Sequence, residues 1–167
     1  LMSGKHILDA GCGIGGTARY LATERACKVT GIDLTASYIE VASALSERMG
    51  LADACDFHVG SVLEMPFENA AFSGAVSFHV AKNIEDRNRF YGELARVMKT
   101  GAPLCVFDVM KGPQEGLHYP VPWAEAAGSS FLKTPRETTD LLEQEGFEVV
   151  ARKSLRDFAI DFFRTAF

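Results

Sequence analysis

The sequence predicts an α/β fold, a doubly wound and mostly parallel sheet, and three observations carry that expectation. Apolar runs of strand length alternate with segments of helical period along most of the chain. The run His6-Ile7-Leu8-Asp9-Ala10 leads straight into Gly11-Cys12-Gly13-Ile14-Gly15-Gly16, a turn that opens a helix. Residues 74–80 are almost continuously apolar, as a strand covered on both faces requires.

Taken in order, the first strand is His6–Ala10 and the first helix runs over 15–24, with Tyr20 and Leu21 facing the sheet. Lys28–Asp33 is the second strand. Thr35 caps the next helix, along which Ile39, Ala42, Leu45 and Met49 recur at helical spacing until Gly50 stops it. Cys55–Val59 is a short third strand ending at Gly60-Ser61, and residues 65–72 form a loop. The fourth strand is 74–80. Asp86 caps a helix whose Phe90, Leu94 and Val97 share one face. Lys99-Thr100-Gly101 turns the chain into a fifth strand over 103–109.

Residues 110–133 break this rhythm. Gly112-Pro113, Pro120 and Pro122 exclude a regular element there, and the segment carries His118, Tyr119 and Trp123, the only tryptophan. A loop of this length in a compact domain is functional or mobile. Thr134-Pro135-Arg136-Glu137 supplies a capping box with proline at the first helical position. That helix ends before Gly146, and 147–152 reads as a sixth strand. At the C-terminus Leu155, Phe158, Phe162 and Ala166 form an apolar stripe, with Phe163 and Phe167 beside it. Such a face calls for a cover. The expectation is that the natural chain continues at both ends; packing on this domain or on a second copy are the other covers. The chain therefore divides into residues 1–153 and a C-terminal amphipathic helix over 154–167.

The 167 residues suit one domain, and 47% of them are hydrophobic, enough for a sizeable core. A formal net charge of −5 and the lack of a basic face argue against a nucleic-acid partner. No apolar run is long enough to span a bilayer, and no signal-peptide pattern is present. Cys12, Cys27, Cys55 and Cys105 show no CxxC or zinc spacing, so the expectation is no metal and thiols in a reducing cytoplasm. Cys12, inside the glycine turn, reads as a small space-filler.

Four features fall on one edge of the expected sheet. The glycine turn lets the backbone bend sharply and approach a ligand closely, and the helix after it points unpaired N–H groups outward. Gly11-x-Gly13-x-x-Gly16 also satisfies the dinucleotide fingerprint, so the turn alone leaves the ligand open. Asp33, roughly twenty positions after Gly11, ends the second strand, where a carboxylate accepts both ribose hydroxyls. Gly60-Ser61-Val62 ends the third strand, where backbone groups reach an adenine edge and Leu34 and Val62 sandwich the ring. Phe78-His79-Val80 ends the fourth strand beside the point where strand order reverses.

The stretches DAGCGIGG, GIDLT, GSVLEMPFENAAFSGAV and ARVMKTGAPLCVFDV together resemble the successive motifs of class I S-adenosylmethionine-dependent methyltransferases. The resemblance runs from about His6 to Arg152. Asp9 before the first glycine and the MPF-x(4)-F loop set it apart from a dehydrogenase. It implies a Rossmann-like domain with strand order 3-2-1-4-5 and a further strand beside the fifth. It also implies that Asp9, Gly11, Cys12 and Gly13 surround the methionine portion and the ribose of S-adenosylmethionine. Asp33 would hold the ribose hydroxyls and Leu34 would flank the adenine. Ser61 and Val62 would meet the adenine edge, and His79 and Val80 would line the side near the transferring methyl. Many relatives have aspartate at the position of Ser61, so an uncharged adenine contact is expected.

A sulfonium methyl is already activated, so the protein chiefly places a nucleophile in line behind it. His79 is the candidate base where that nucleophile carries a proton, or else a hydrogen-bonding partner only. Asp108 faces the pocket or is structural. Tyr119 and Trp123 contact the acceptor or anchor their loop. The helix GGTARYLA is similar to that of glycine and sarcosine methyltransferases, and the MPF loop to that of ubiquinone and menaquinone methyltransferases. The function expected is methyl transfer to a small-molecule acceptor, with self-association through the C-terminal helix. A cofactor-binding module without its substrate cap and an NAD(P)-dependent oxidoreductase are the alternatives.

Overall fold

The computed structural model describes residues 3–113 and 116–166. Its elements are β1 (His6–Ala10), α1 (Gly16–Arg25), β2 (Lys28–Asp33), α2 (Ala36–Arg48), β3 (Cys55–Val59), β4 (Ala75–Phe78), α3 (Arg87–Val97), β5 (Leu104–Phe107), α4 (Pro135–Gln144) and α5 (Arg156–Ala166). Short 3₁₀ turns occupy Ala81–Asn83 and Ala127–Ser129. The strands form one parallel sheet in the order β3-β2-β1-β4-β5, as the sequence predicts. Order reverses between β1 and β4, which leaves a crevice at their carboxyl ends.

Side chains alternate across β1, so its two faces enter two separate cores. Leu8 joins Ala10, Ile32 and Ala75 against Phe90, Tyr91, Leu94 and Val97 of α3, with Leu141 and Leu142 of α4 alongside. Ile7 joins Val29, Cys55 and Val76 against Ala18, Leu21 and Ala22 of α1. Capping follows the sequence where the side chain reaches. Asp86 accepts from Arg89 N at 3.0 Å, and Thr134 and Glu137 complete the reciprocal box at the start of α4. Thr35 does take the cap position of α2, but its side chain makes no capping bond. Asp33 Oδ1 instead accepts from Thr35 N at 2.9 Å.

Several expectations are corrected. Tyr20 is 59% exposed, because α1 buries Ala18, Leu21 and Ala22 and turns Tyr20 outward. On α2 the buried row is Ile39, Ala42 and Ser46, and Met49 is exposed beyond the last turn. β4 and β5 are each four residues long, so His79, Val80 and Asp108 lie past the strands rather than within them. Residues 147–152 form no strand. Phe147 folds back to pack on the α3–α4 core and donates its N–H to Leu142 O at 3.0 Å. Beyond it the alternating pattern has no ladder partner, since β5 pairs within the sheet only with β4. Val150 is accordingly 84% exposed. On α5, Phe158 and Phe162 are exposed; Phe167 and the side chains of Phe163 and Ala166 lie outside the described residues. Among the described residues no helix is long and apolar enough to cross a membrane.

Gly31 of β2 faces the underside of the glycine turn. A Cβ there would stand 2.6 Å from Phe57 Cδ1 and 2.8 Å from Cys12 Sγ. Both neighbours are held by the core, so Gly31→Ala is expected to lower unfolding free energy by about 1–3 kcal/mol. Urea denaturation checks this; a wild-type midpoint would show that the two side chains move aside freely.

Candidate functional site

The crevice is built on Asp33. Its Oδ2 accepts from Gly13 N and its Oδ1 from Thr35 N, both at 2.9 Å. Each oxygen keeps lone-pair capacity, so the carboxylate is oriented and still able to accept from a ligand. Ile32 O, one residue earlier, accepts from both Gly11 N (2.8 Å) and Cys12 N (3.0 Å). The glycine turn is thereby stitched along the end of β2. Asp33 O also accepts from Gly60 N at 2.9 Å, which brings Ser61 and Val62 to the same edge.

The turn needs its glycines for different reasons. Gly11 (φ 81°) lies against Val80, whose Cγ2 would be 2.2 Å from an added Cβ. Gly13 (φ 53°) has open space on its Cβ side. It is the point where the backbone is free to meet a ligand. Arg19 of α1 fixes the rear of the turn by donating to Ile14 O at 2.8 Å. Leu34, next to Asp33, is 76% exposed, an apolar side chain without an apolar neighbour to cover it. Val62 is half-buried against the core. Ser61 Oγ already accepts from Leu63 N at 3.1 Å and retains its O–H as a donor.

Asp9 and Cys12 lie underneath this surface rather than on it. Asp9 is 2% exposed, accepts the backbone N–H of Ala18 in the first turn of α1, and leaves Oδ2 without a partner. Burial pushes its pKa up to about 7; the Ala18 N–H opposes the rise and the Asp33 charge adds to it. Burial likewise pushes the Cys12 thiol far up, with Asp9 and Asp33 adding, so Cys12 is a packing residue and no nucleophile.

At the far side of the crevice, His79 follows β4 with φ 62°, a left-handed backbone uncommon outside glycine. Its N–H donates to Phe107 O at 2.8 Å, and its exposed ring meets Phe107 edge-on at 4.9 Å between centroids. Asp108 does not open to the crevice. Its side chain is 4% exposed and faces Lys82 Nζ at 3.6 Å. Burial pulls the Lys82 ammonium pKa down and the Asp108 carboxylate opposes this. Trp123 is tied back into its own segment, its Nε1–H donating to Ser130 Oγ at 3.0 Å. Tyr119 is half-buried in the same segment. The structure thus unites the glycine turn, Asp33, Leu34, Ser61, Val62 and Val80. It links Trp123 to the far side through Asn83, which donates to Trp123 O at 2.8 Å. Lys82, Asn83 and Arg87 escape the sequence reading, because no local pattern in residues 79–88 marks them.

A family model described as a methyltransferase domain matches residues 8–106. The O-methyltransferase resE of Aspergillus sclerotiorum is 31% identical over 160 residues, spanning 93% of this chain and 59% of that protein. Among solved structures, the [4+2]-cyclase SpnF superposes with a TM-score of 0.78 at 26% identity, over 90% of this chain and 54% of that one. Geranyl diphosphate C-methyltransferase from Streptomyces coelicolor A3(2), in complex with Mg2+, geranyl diphosphate and S-adenosyl-L-homocysteine, superposes with a TM-score of 0.75 at 20% identity, over 86% and 54%. The chain therefore spans little more than half the length of each of these proteins.

Asp9 provides a pH signature. Its pKa is raised from 3.8 to about 7, so the folded state holds the proton more tightly than the unfolded state. The resulting stabilisation is complete below the lower value and lost as pH rises through the upper one. The unfolding free energy of wild type relative to Asp9→Asn is expected to fall across that window, by at most about 1.4 kcal/mol per pH unit. Urea titrations of both proteins check it; parallel pH curves would mean that Asp9 is ionised throughout.

Proposed function

The chain belongs to the class I S-adenosylmethionine-dependent methyltransferase family, and from that premise we propose that it moves a methyl group from S-adenosylmethionine to a small-molecule acceptor. The observation that carries the proposal is Asp33, a carboxylate fixed by two backbone N–H groups beside an open Gly13 and an exposed Leu34. That set suits a nucleoside with a diol on one side and an apolar ring on the other. Asp33 would accept from the ribose hydroxyls, and Leu34 and Val62 would enclose the adenine. Ser61 would meet the adenine edge through its free O–H. Gly11, Gly13 and Val80 would line the path toward the methionine portion. Asp9 and Cys12 would support the turn from below.

When bound, the cofactor supplies a sulfonium-activated methyl group. The chain then has to orient the acceptor, keep water out and remove a proton where the acceptor carries one. We assign the last task to His79, whose exposed imidazole stands at the carboxyl end of β4. The segment 110–133, with Tyr119 and Trp123, would form the acceptor side. The resE enzyme is an O-methyltransferase and the Streptomyces enzyme a C-methyltransferase, so the acceptor atom varies among the relatives. The proposal further divides the chain into a cofactor-binding domain over 1–153 and an accessory helix, α5, suited to self-association by its exposed Phe158 and Phe162. It places the protein in the cytoplasm, a setting consistent with the thiols Cys12, Cys55 and Cys105, and with no nucleic-acid partner, given the net charge of −5.

Titration with S-adenosylhomocysteine and with NAD tests the cofactor; tight binding of NAD alone would sink the proposal. Turnover with amines, phenols and quinols tests the activity, and separates it from cyclisation or cofactor binding alone. Asp33→Ala should weaken S-adenosylhomocysteine binding by about 2 kcal/mol, roughly 30-fold, through loss of charge-assisted hydrogen bonds. Unchanged affinity would move the ribose contact elsewhere. His79→Asn, which tolerates the left-handed backbone, should lower kcat by about 10²-fold at constant cofactor affinity. A wild-type kcat would leave His79 as a wall of the site.

A further inference from the structure

Among its described residues, the segment 110–133 contains one short helical turn, yet it is fastened at several points to a single feature of the domain. Asn83 Nδ2 donates to Trp123 O at 2.8 Å and to Ser129 O at 3.0 Å. Phe131 N donates to Lys82 O at 2.8 Å, and Arg87 Nη2 donates to Phe131 O at 3.1 Å. All the domain-side partners belong to the Ala81–Asn83 turn or the first residue of α3.

That feature is itself clamped from below. Lys82 N donates to Asp108 Oδ2 at 3.0 Å, while its ammonium faces Asp108 Oδ1 and donates to His79 O. Arg87 Nε donates to Ile84 O at 2.9 Å and Nη1 to Tyr91 Oη at 3.1 Å. Lys82 and Arg87 are each 5% exposed, so these bonds are shielded from water. One short turn thus joins the backbone of His79, the end of β5 and the far segment.

We infer that Asn83 and Arg87 are positioning residues, which hold 123–131 as a fixed wall of the acceptor site relative to His79. The inference rests on the proposed reading of 110–133 as the acceptor side. Neither residue touches the cofactor cradle around Gly13 and Asp33. They act on the acceptor through the segment they hold.

Asn83 is exposed, so its variants leave the core intact. Asn83→Ala removes both donors, Asn83→Asp replaces them with a carboxylate that repels the two carbonyls, and Asn83→Gln keeps an amide. Trp123 is the only tryptophan, so intrinsic fluorescence reads the segment directly. In the alanine and aspartate variants we expect a red-shifted emission and an acrylamide quenching constant raised at least about twofold. The KM for an acceptor from the turnover panel should rise roughly tenfold, as loss of two hydrogen bonds implies. kcat and the Kd for S-adenosylhomocysteine should stay within about twofold, and the glutamine variant should recover most of the KM.

Unchanged Trp123 fluorescence and quenching would overturn the inference alone. So would a loosened Trp123 with an unchanged KM, or a loss of S-adenosylhomocysteine affinity parallel to the rise in KM. Wild-type protein that turns over no acceptor while binding S-adenosylhomocysteine would overturn the proposed function, and the inference with it.

Discussion

Everything on the crevice side of the sheet depends on how the end of β2 holds the glycine turn. Three N–H groups of the turn, those of Gly11, Cys12 and Gly13, have no strand of their own to pair with. Ile32 O takes the first two and the Asp33 carboxylate takes the third. An unmade bond at any of them would cost more than the bond itself contributes, because a buried donor stripped of water is expensive. The turn therefore has one conformation as long as β2 ends in an acidic side chain. The same carboxylate starts α2 through Thr35 N and keeps acceptor capacity for a ligand. A single residue thus closes the turn, orders the chain entering α2 and leaves acceptor capacity facing the crevice.

Asp9 shows the opposite economy. A carboxyl group that is 2% exposed with an unpartnered Oδ2 destabilises the fold whenever it is charged. Its compensation is the N–H of Ala18 at the positive end of α1. Local rules of this kind are broken chiefly at functional sites, where a group is retained for what it does to its surroundings. Here the surroundings are the underside of the turn and the Asp33 charge, so the two carboxylates are coupled across the sheet.

The fold, and the residues that line the crevice at the ends of β1 and β2, were readable from the chain because both rest on local signals. Strand-length apolar runs, the Thr134–Glu137 box and the Gly11–Gly16 turn are short-range patterns, and each appears where the sequence places it. The failures concern where elements end, which face they bury and which distant partners they meet. The alternation after Phe147 fits a strand, but a ladder takes two segments and β5 does not supply the second. Met49 fits the helical period of α2, but the helix ends at Arg48, and Ser46 is buried instead. Asn83 and Arg87 carry no local pattern, because they donate to carbonyls 40–46 residues away in the chain.

This difference follows the division of labour in the domain. The proposed cofactor side is made of strand ends and one tight turn, held by the Ile32 carbonyl and the Asp33 carboxylate. The proposed acceptor side, 110–133, has one short 3₁₀ turn among its described residues and is held to the domain by the Asn83 and Arg87 side chains and the Lys82 carbonyl. A segment of that kind tolerates substitution along its length, provided that its few fastening points remain. One scaffold can then keep a constant cofactor cradle while the acceptor wall is rebuilt. On the proposed reading, the segment between β5 and α4 selects the acceptor, and the turn after β4 holds that segment in place.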